Sequence, residues 1–278
     1  MKRYFFATLL GAFYLQSGHA STAQPVKNAK YCTIEWTFSA GSGTEIGPDN
    51  EIAIEFNKFI KKNMSETLVK WKELFAELPG FTDLSKSYTP YLLDKVCSFY
   101  AVSMTATEDR SRILNIIPFY AGRTMVVVRS EDRKKFSGIE SLKGASTVVI
   151  KNTTYAQWLK TISQQRKNLN LNVLELETGH TVEYLLSKKV DFIQLDTIQA
   201  LYFMNHYRDQ VAMAFPTGPN ERIGWGFAKA DKKTPEMFQK FISEQRANPG
   251  SKINSIYKKY FGVTLKEFDS LVFSSVQN

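Results

Sequence analysis

Short runs of apolar and β-branched residues alternate along the chain with stretches whose apolar positions recur every three or four residues. The runs Tyr31 to Phe38, Thr67 to Trp71, Cys97 to Met104, Thr124 to Arg129, Ser146 to Ile150, Asn172 to Leu176 and Val190 to Leu195 predict strands. Between them, Asn50 to Lys62 carries Ile52, Phe56, Phe59 and Ile60 at helical spacing, and Thr181 to Lys188 and Pro235 to Arg246 repeat that pattern. A further helix, Asn254 to Phe261, is predicted to stop at Gly262, and another to begin at Thr89-Pro90. Pro79-Gly80 marks a turn inside a surface excursion, Glu73 to Tyr88. Strands alternating with helices imply α/β architecture with mainly parallel sheets.

The first twenty residues read differently. Lys2 and Arg3 precede an apolar stretch, Tyr4 to Leu15, that ends in Gly18-His19-Ala20, which predicts an export signal cleaved after Ala20. No later segment approaches the length of a membrane span, so the mature chain is expected to be soluble and periplasmic. An oxidising compartment makes a disulfide the expectation for the two cysteines, Cys32 and Cys97, with two buried thiols as the alternative.

Net charge is +9 for the full chain. Lysines and arginines are scattered rather than clustered, so they predict a solubilising surface and no nucleic-acid partner. Outside the signal only His180 and His206 remain, in no metal-ligand or nucleophile motif, and both are expected to be surface or packing residues. The glycines of Gly41 to Gly47 have the wrong spacing for a dinucleotide loop. No cofactor and no metal is expected.

Chemistry concentrates in Ser103 to Val128, where a strand ends in small hydroxyl residues and a turn with two acids delivers an arginine. Thr105, Thr107, Asp109 and Arg110, followed by the crossover Pro118-Phe119-Tyr120, resemble the core of the family 3 extracellular solute-binding proteins, the amino-acid receptors of ABC transporters. Gly138 to Leu159, Val190 to Asp196, the IGWGFAKAD run and the INSIYKKYFG run are similar to further segments of that family in the same order, and Gly47 to Ala53 is a worn version of its first helix start. The resemblance implies a two-lobed α/β "Venus flytrap" of type II with two hinge-crossing segments. Lobe 1 would comprise residues 25–120 plus 225–278 and lobe 2 residues 124–220, with crossings near Ala121 to Arg123 and Pro219 to Gly224.

The same resemblance implies a site. Arg110 would grip a ligand carboxylate with its planar fork. Thr105 and Thr154 would add hydroxyl and main-chain donors, the latter at a helix mouth. Asp196 would accept the ligand ammonium, although an acid at a strand end reads equally as a helix cap. Trp36, Phe38 and Trp71 would wall the side-chain pocket, although such rings serve a core as readily as a site. Arg110 could instead be a surface arginine paired with Glu108 or Asp109. Lys151-Asn152, in place of a glycine-bearing turn, and Glu108, in place of a frequent proline, depart from the family pattern. The implied partners are a small amino acid or carboxylate and an inner-membrane permease or sensor, with a monomeric, non-enzymatic receptor as the expected form. Two alternatives stay open: a dehydratase-like enzyme using Glu35 or Glu45, and a regulatory sensor, since the closing segments also resemble binding domains attached to sensor kinases and cell-wall lytic enzymes.

Overall fold

The computed structural model describes residues 29–34, 47–77, 87–177 and 179–274. The export signal, Trp36, Phe38, Glu35 and Glu45 lie outside the described residues. One five-stranded sheet contains β1 (Lys30–Ile34), β2 (Ser65–Val69), β5 (Phe99–Thr105), β6 (Leu114–Gly122) and β12 (Glu221–Ala228), in the order β2-β1-β5-β12-β6. A second contains β7 (Thr124–Arg129), β8 (Ser146–Ile150), β9 (Asn172–Leu176), β10 (Phe192–Asp196) and β11 (Val211–Pro216), in the order β11-β7-β10-β8-β9. Inside the excursion, β3 (Ala76–Glu77) pairs with β4 (Ser87–Tyr88).

The helices are α1 (Pro48–Phe59), α2 (Trp71–Leu74), α3 (Pro90–Leu93), α4 (Glu108–Ile113), α5 (Thr154–Gln165), α6 (Thr181–Leu186), α7 (Thr197–His206), α8 (Lys233–Ala247), α9 (Lys252–Phe261) and α10 (Leu265–Ser274). Gly262 ends α9 in the left-handed conformation that glycine takes without steric cost (φ 76°). The architecture is therefore two-lobed α/β, each lobe built on one sheet. The chain leaves the first sheet at Gly122, enters the second at Thr124, and returns between Pro216 and Glu221.

Both sheets are mixed, which corrects the expectation of mainly parallel pairing. β12 runs antiparallel to β5 and β6, and β7 runs antiparallel to β10 and β11. The cause is topological. The chain that crosses between lobes must come back beside its outgoing strand, and a returning strand runs opposite to the one it lies against. A second correction concerns Trp71, which opens α2 rather than ending a strand; β2 stops at Val69. The chain turns there because Glu73 reaches back to accept the Lys70 N–H at 2.8 Å, which satisfies a donor at a helix start.

A buried carboxylate organises the first lobe. Asp49, 1% exposed in the first turn of α1, accepts the Ser103 N–H and Oγ–H, each at 2.8 Å, and the Trp225 indole N–H at 2.9 Å. It thereby ties α1 to β5 and β12. Trp225 stacks on Phe238 at 4.6 Å between ring centroids, and Phe56 and Phe99 complete the aromatic core. Helix α7 spans the lobes. Ile198 and Tyr202 sit in that first-lobe core, Ala200 sits in the second-lobe core, and Asn205 Nδ2 donates to the Tyr260 carbonyl at 3.2 Å.

Cys32 in β1 and Cys97, just before β5, are disulfide-bonded, with Cα atoms 5.7 Å apart. The bridge closes a loop of 65 residues. Replacing both cysteines by alanine is expected to lower the unfolding free energy by about 4 kcal/mol in urea titrations. Gly224 lies at a register shift where a Cβ would stand 2.0 Å from the Ile117 carbonyl oxygen. Gly224→Ala is expected to destabilise by roughly 3 kcal/mol, because a backbone neighbour cannot rotate away.

Candidate functional site

The end of β5 leads through Thr105 to Thr107, whose side chain caps α4 by accepting the Arg110 N–H at 3.2 Å. That cap sets the direction of the first turn. Glu108 and Asp109 face outward and pair with Arg112 at 2.7 and 3.3 Å, so the surface pairing considered for Arg110 is taken by Arg112. Arg110 turns inward and is 2% exposed. Its Nη1 donates to the Thr105 carbonyl at 3.0 Å, and its Cζ stands 4.9 Å from the centre of the Trp71 ring. Its Nε has no protein partner.

Across the cleft, β10 delivers Asp196, which is 4% exposed. It occupies the N-cap position of α7 but makes no side-chain capping bond, and its Oδ1 is buried without a protein partner. Its own N–H donates to the Tyr155 hydroxyl at 3.0 Å, and that hydroxyl donates to Gln199 Oε1 at 3.0 Å. Thr153 caps α5 by accepting the Ala156 N–H at 3.2 Å, leaving Thr154 as the first residue of the helix mouth.

These groups line one cavity of about 150 Å³ between the lobes. That is room for a small molecule in place of several waters. Trp71 Nε1 donates to the Asn152 carbonyl of the opposite lobe at 3.3 Å, so the cleft is closed at its rim. Asn152 has φ 60°, a left-handed conformation that asparagine tolerates, which explains how Lys151-Asn152 replaces a glycine-bearing turn. At the hinge, Arg123 and Thr197 exchange hydrogen bonds at 3.1 and 2.9 Å, and Arg123 Nε donates to the Gly218 carbonyl at 3.0 Å.

Burial dominates the electrostatics. It lowers the Arg110 pKa to about 10 against the opposing pull of Asp196, Tyr155 and Glu221. Burial, then the Glu221 charge, raises Asp196 to about 7, with the Tyr155 hydroxyl and Arg110 acting the other way. Glu221 is also raised by burial, opposed by the Thr105 hydroxyl and Arg110.

Of the residues anticipated from sequence, Arg110, Thr105, Trp71, Thr154 and Asp196 line this one cavity. Trp36 and Phe38 lie outside the described residues. His180, expected as a surface or packing residue, is half-buried in the loop before α6 and stands at the cavity wall; exposed His206 stacks on Tyr202. Three residues escaped the sequence reading. Tyr155 and Gln194 were within reach, one following the threonine pair and the other on the same strand face as Asp196. Glu221, whose carboxylate accepts from Thr105 Oγ1 at 3.4 Å, carries no local signal.

Among the described residues, no group of three or more His, Cys, Asp or Glu side chains could hold a metal ion, and no helix is long and apolar enough to cross a membrane. No family model matches the chain. The membrane-bound lytic murein transglycosylase F of Desulfosudis oleivorans is 23% identical over 221 residues, covering 78% of this chain and 44% of that protein, so the chain spans less than half its length. Among solved structures, an ancestral amino-acid-binding protein described as a precursor of cyclohexadienyl dehydratase has a TM-score of 0.67 at 15% identity, covering 84% of this chain and 96% of that one. A protein from Wolinella succinogenes described as the binding component of an ABC transporter, complexed with lysine, has a TM-score of 0.65 at 16% identity, covering 85% and 97%. These likenesses establish that the chain has the two-lobed fold of amino-acid-binding proteins.

Proposed function

We propose that this protein is a periplasmic receptor that closes its two lobes on a free amino acid and presents it to an inner-membrane permease or a sensor. One observation carries the reading. A buried guanidinium with a free N–H and a buried carboxylate with a free oxygen line the same closed cavity, one from each lobe. An amino acid carries the two complementary groups on adjacent atoms. Arg110 and the mouth of α5 receive its carboxylate; Asp196 receives its ammonium. Since the groups come from different lobes, a ligand that satisfies both stabilises the closed form over the open one. A catalytic reading has its own support, because an acid that titrates near neutrality is suited to general acid work. Consumption of the ligand by purified protein would distinguish an enzyme from a receptor.

Arg110→Ala is expected to weaken amino-acid binding by about 30-fold or more in calorimetry while the circular dichroism spectrum is retained, since losing one partner of a desolvated charge pair costs 2 kcal/mol or more. Unchanged affinity would remove Arg110 from the site.

Asp196 predicts two opposite pH dependences. In the free protein its pKa of about 7 lies above that of an unfolded aspartate, so the folded state holds this proton more tightly and stability falls as pH rises from about 4 to about 7. In the complex a neighbouring ammonium favours the carboxylate. Binding below neutrality should therefore release a proton, and affinity should drop by up to about tenfold per pH unit below 7. Calorimetry at pH 6 in buffers of different ionisation enthalpy measures the proton directly, and Asp196→Asn should abolish its release.

A further inference from the structure

The outer edge of the second lobe offers an unprotected strand. β9 is the last strand of its sheet, and four of its five residues, Asn172 to Glu175, are exposed. Val173 and Leu174 are 37% and 46% exposed; neighbours on a strand point to opposite faces, so apolar surface is bare on both sides. In a parallel ladder the N–H and C=O of one residue point the same way, and that direction alternates along the strand. The Asn172 N–H donates to the Ala145 carbonyl at 3.0 Å and the Leu176 carbonyl accepts the Lys151 N–H at 2.9 Å, so residues 172, 174 and 176 face β8. Val173 and Glu175 therefore turn their backbone groups outward, where the sheet has no further strand. Proteins blunt such edges with proline, a bulge or a cover. The opposite edge of this sheet, β11, has a register shift between Met213 and Phe215 and ends at Pro216, and the edge strand β6 of the first sheet contains Pro118. β9 has neither proline nor bulge.

Charge decides what fits there. The chain enters β9 through Arg166 and Lys167 and leaves it through Glu175 and Glu177, so the segment is basic at its start and acidic at its end. Arg166 and Glu177 also carry exposed ion pairs to Glu140 and Lys151, which leaves Lys167 and Glu175 as the charges open to a partner. A second copy of the same strand laid antiparallel sets each basic start beside an acidic end, whereas a parallel copy sets like charges together. With the two-fold axis at Leu174, the midpoint of β9, Val173 of each copy faces Glu175 of the other, and their outward groups exchange N–H···O=C bonds in both directions. Leu174 meets its own symmetry mate, and no like charges stand directly opposite. We propose, in place of the monomer expected from sequence, that this protein pairs with a second copy of itself through β9, joining the two second-lobe sheets into one. No residue of β9 lines the cavity between the lobes, so each copy keeps its ligand site.

Sedimentation equilibrium on the purified protein tests the idea. Dimer is expected to form reversibly as the concentration rises to about 100 μM, an affinity suited to an interface below the standard size. Leu174→Lys changes a side chain already in water and opposes two like charges across the axis, so it should weaken the dimer at least about tenfold. Leu174→Cys reads the register, because opposed residues of a non-hydrogen-bonded antiparallel pair have Cα atoms about 4.5 Å apart, within disulfide reach. Under mild oxidation that variant should become a covalent dimer, while Leu68→Cys, on the edge strand β2 and 50% exposed, should not. A wild-type protein that stays monomeric at about 1 mM overturns the proposal. So does a dimer that a folded Leu174→Lys variant leaves intact, since it uses another face, and so does cross-linking of Leu68→Cys as fast as Leu174→Cys. The cysteine variants decide the face even if the lysine variant fails to fold.

Discussion

A guanidinium withdrawn from water must meet acceptors, and the rest of the cleft is arranged around that requirement at Arg110. A buried cation with too few partners carries a desolvation penalty of several kcal/mol. Here the Thr105 carbonyl accepts one of its N–H groups, the Trp71 ring covers its face, and Asp196 and Glu221 supply opposing charge. Those partners come from distant parts of the chain. The cap at Thr107 sets the position of Arg110, the turn after β2 places Trp71, and the return strand carries Glu221. Placing one side chain thus depends on the first-lobe sheet being assembled, and Asp49 links the helix and strands that assemble it.

The same requirement connects binding to motion. In the closed cleft, Arg110 Nε and Asp196 Oδ1 are both shielded from water and lack protein partners, a condition that costs about 1–3 kcal/mol for each polar group and more for charged ones. An open cleft would return both to water. A ligand that supplies the missing partners relieves the cost only in the closed form, so its binding energy is differential between the two states and moves the equilibrium toward closure. The Trp71–Asn152 hydrogen bond and the packing of α7 on the first lobe also bridge the two lobes.

What could be read from sequence follows from how local its cause is. Arg110, Thr105, Thr154 and Asp196 stand where strands end and helices begin, and small hydroxyl or charged residues at such junctions are visible in a window of a few positions. The helix over α9 and its stop at Gly262 were legible for the same reason. Trp71 was misplaced because the capping of a four-residue helix outweighs the strand-like run before it. The mixed sheets were not legible, since the direction of β12 depends on where the chain re-enters a sheet it left about a hundred residues earlier.

Glu221 shows where such reading ends and why the loss matters. It lies 116 positions from Thr105, and only the pairing of β12 with β5 brings the two within reach. Its carboxylate accepts from the Thr105 hydroxyl and opposes the charge of Arg110, contacts that no local motif records. Arg110, Thr105 and Thr154 were apparent from local sequence; the acid that stands behind them is brought there only by the folded sheet.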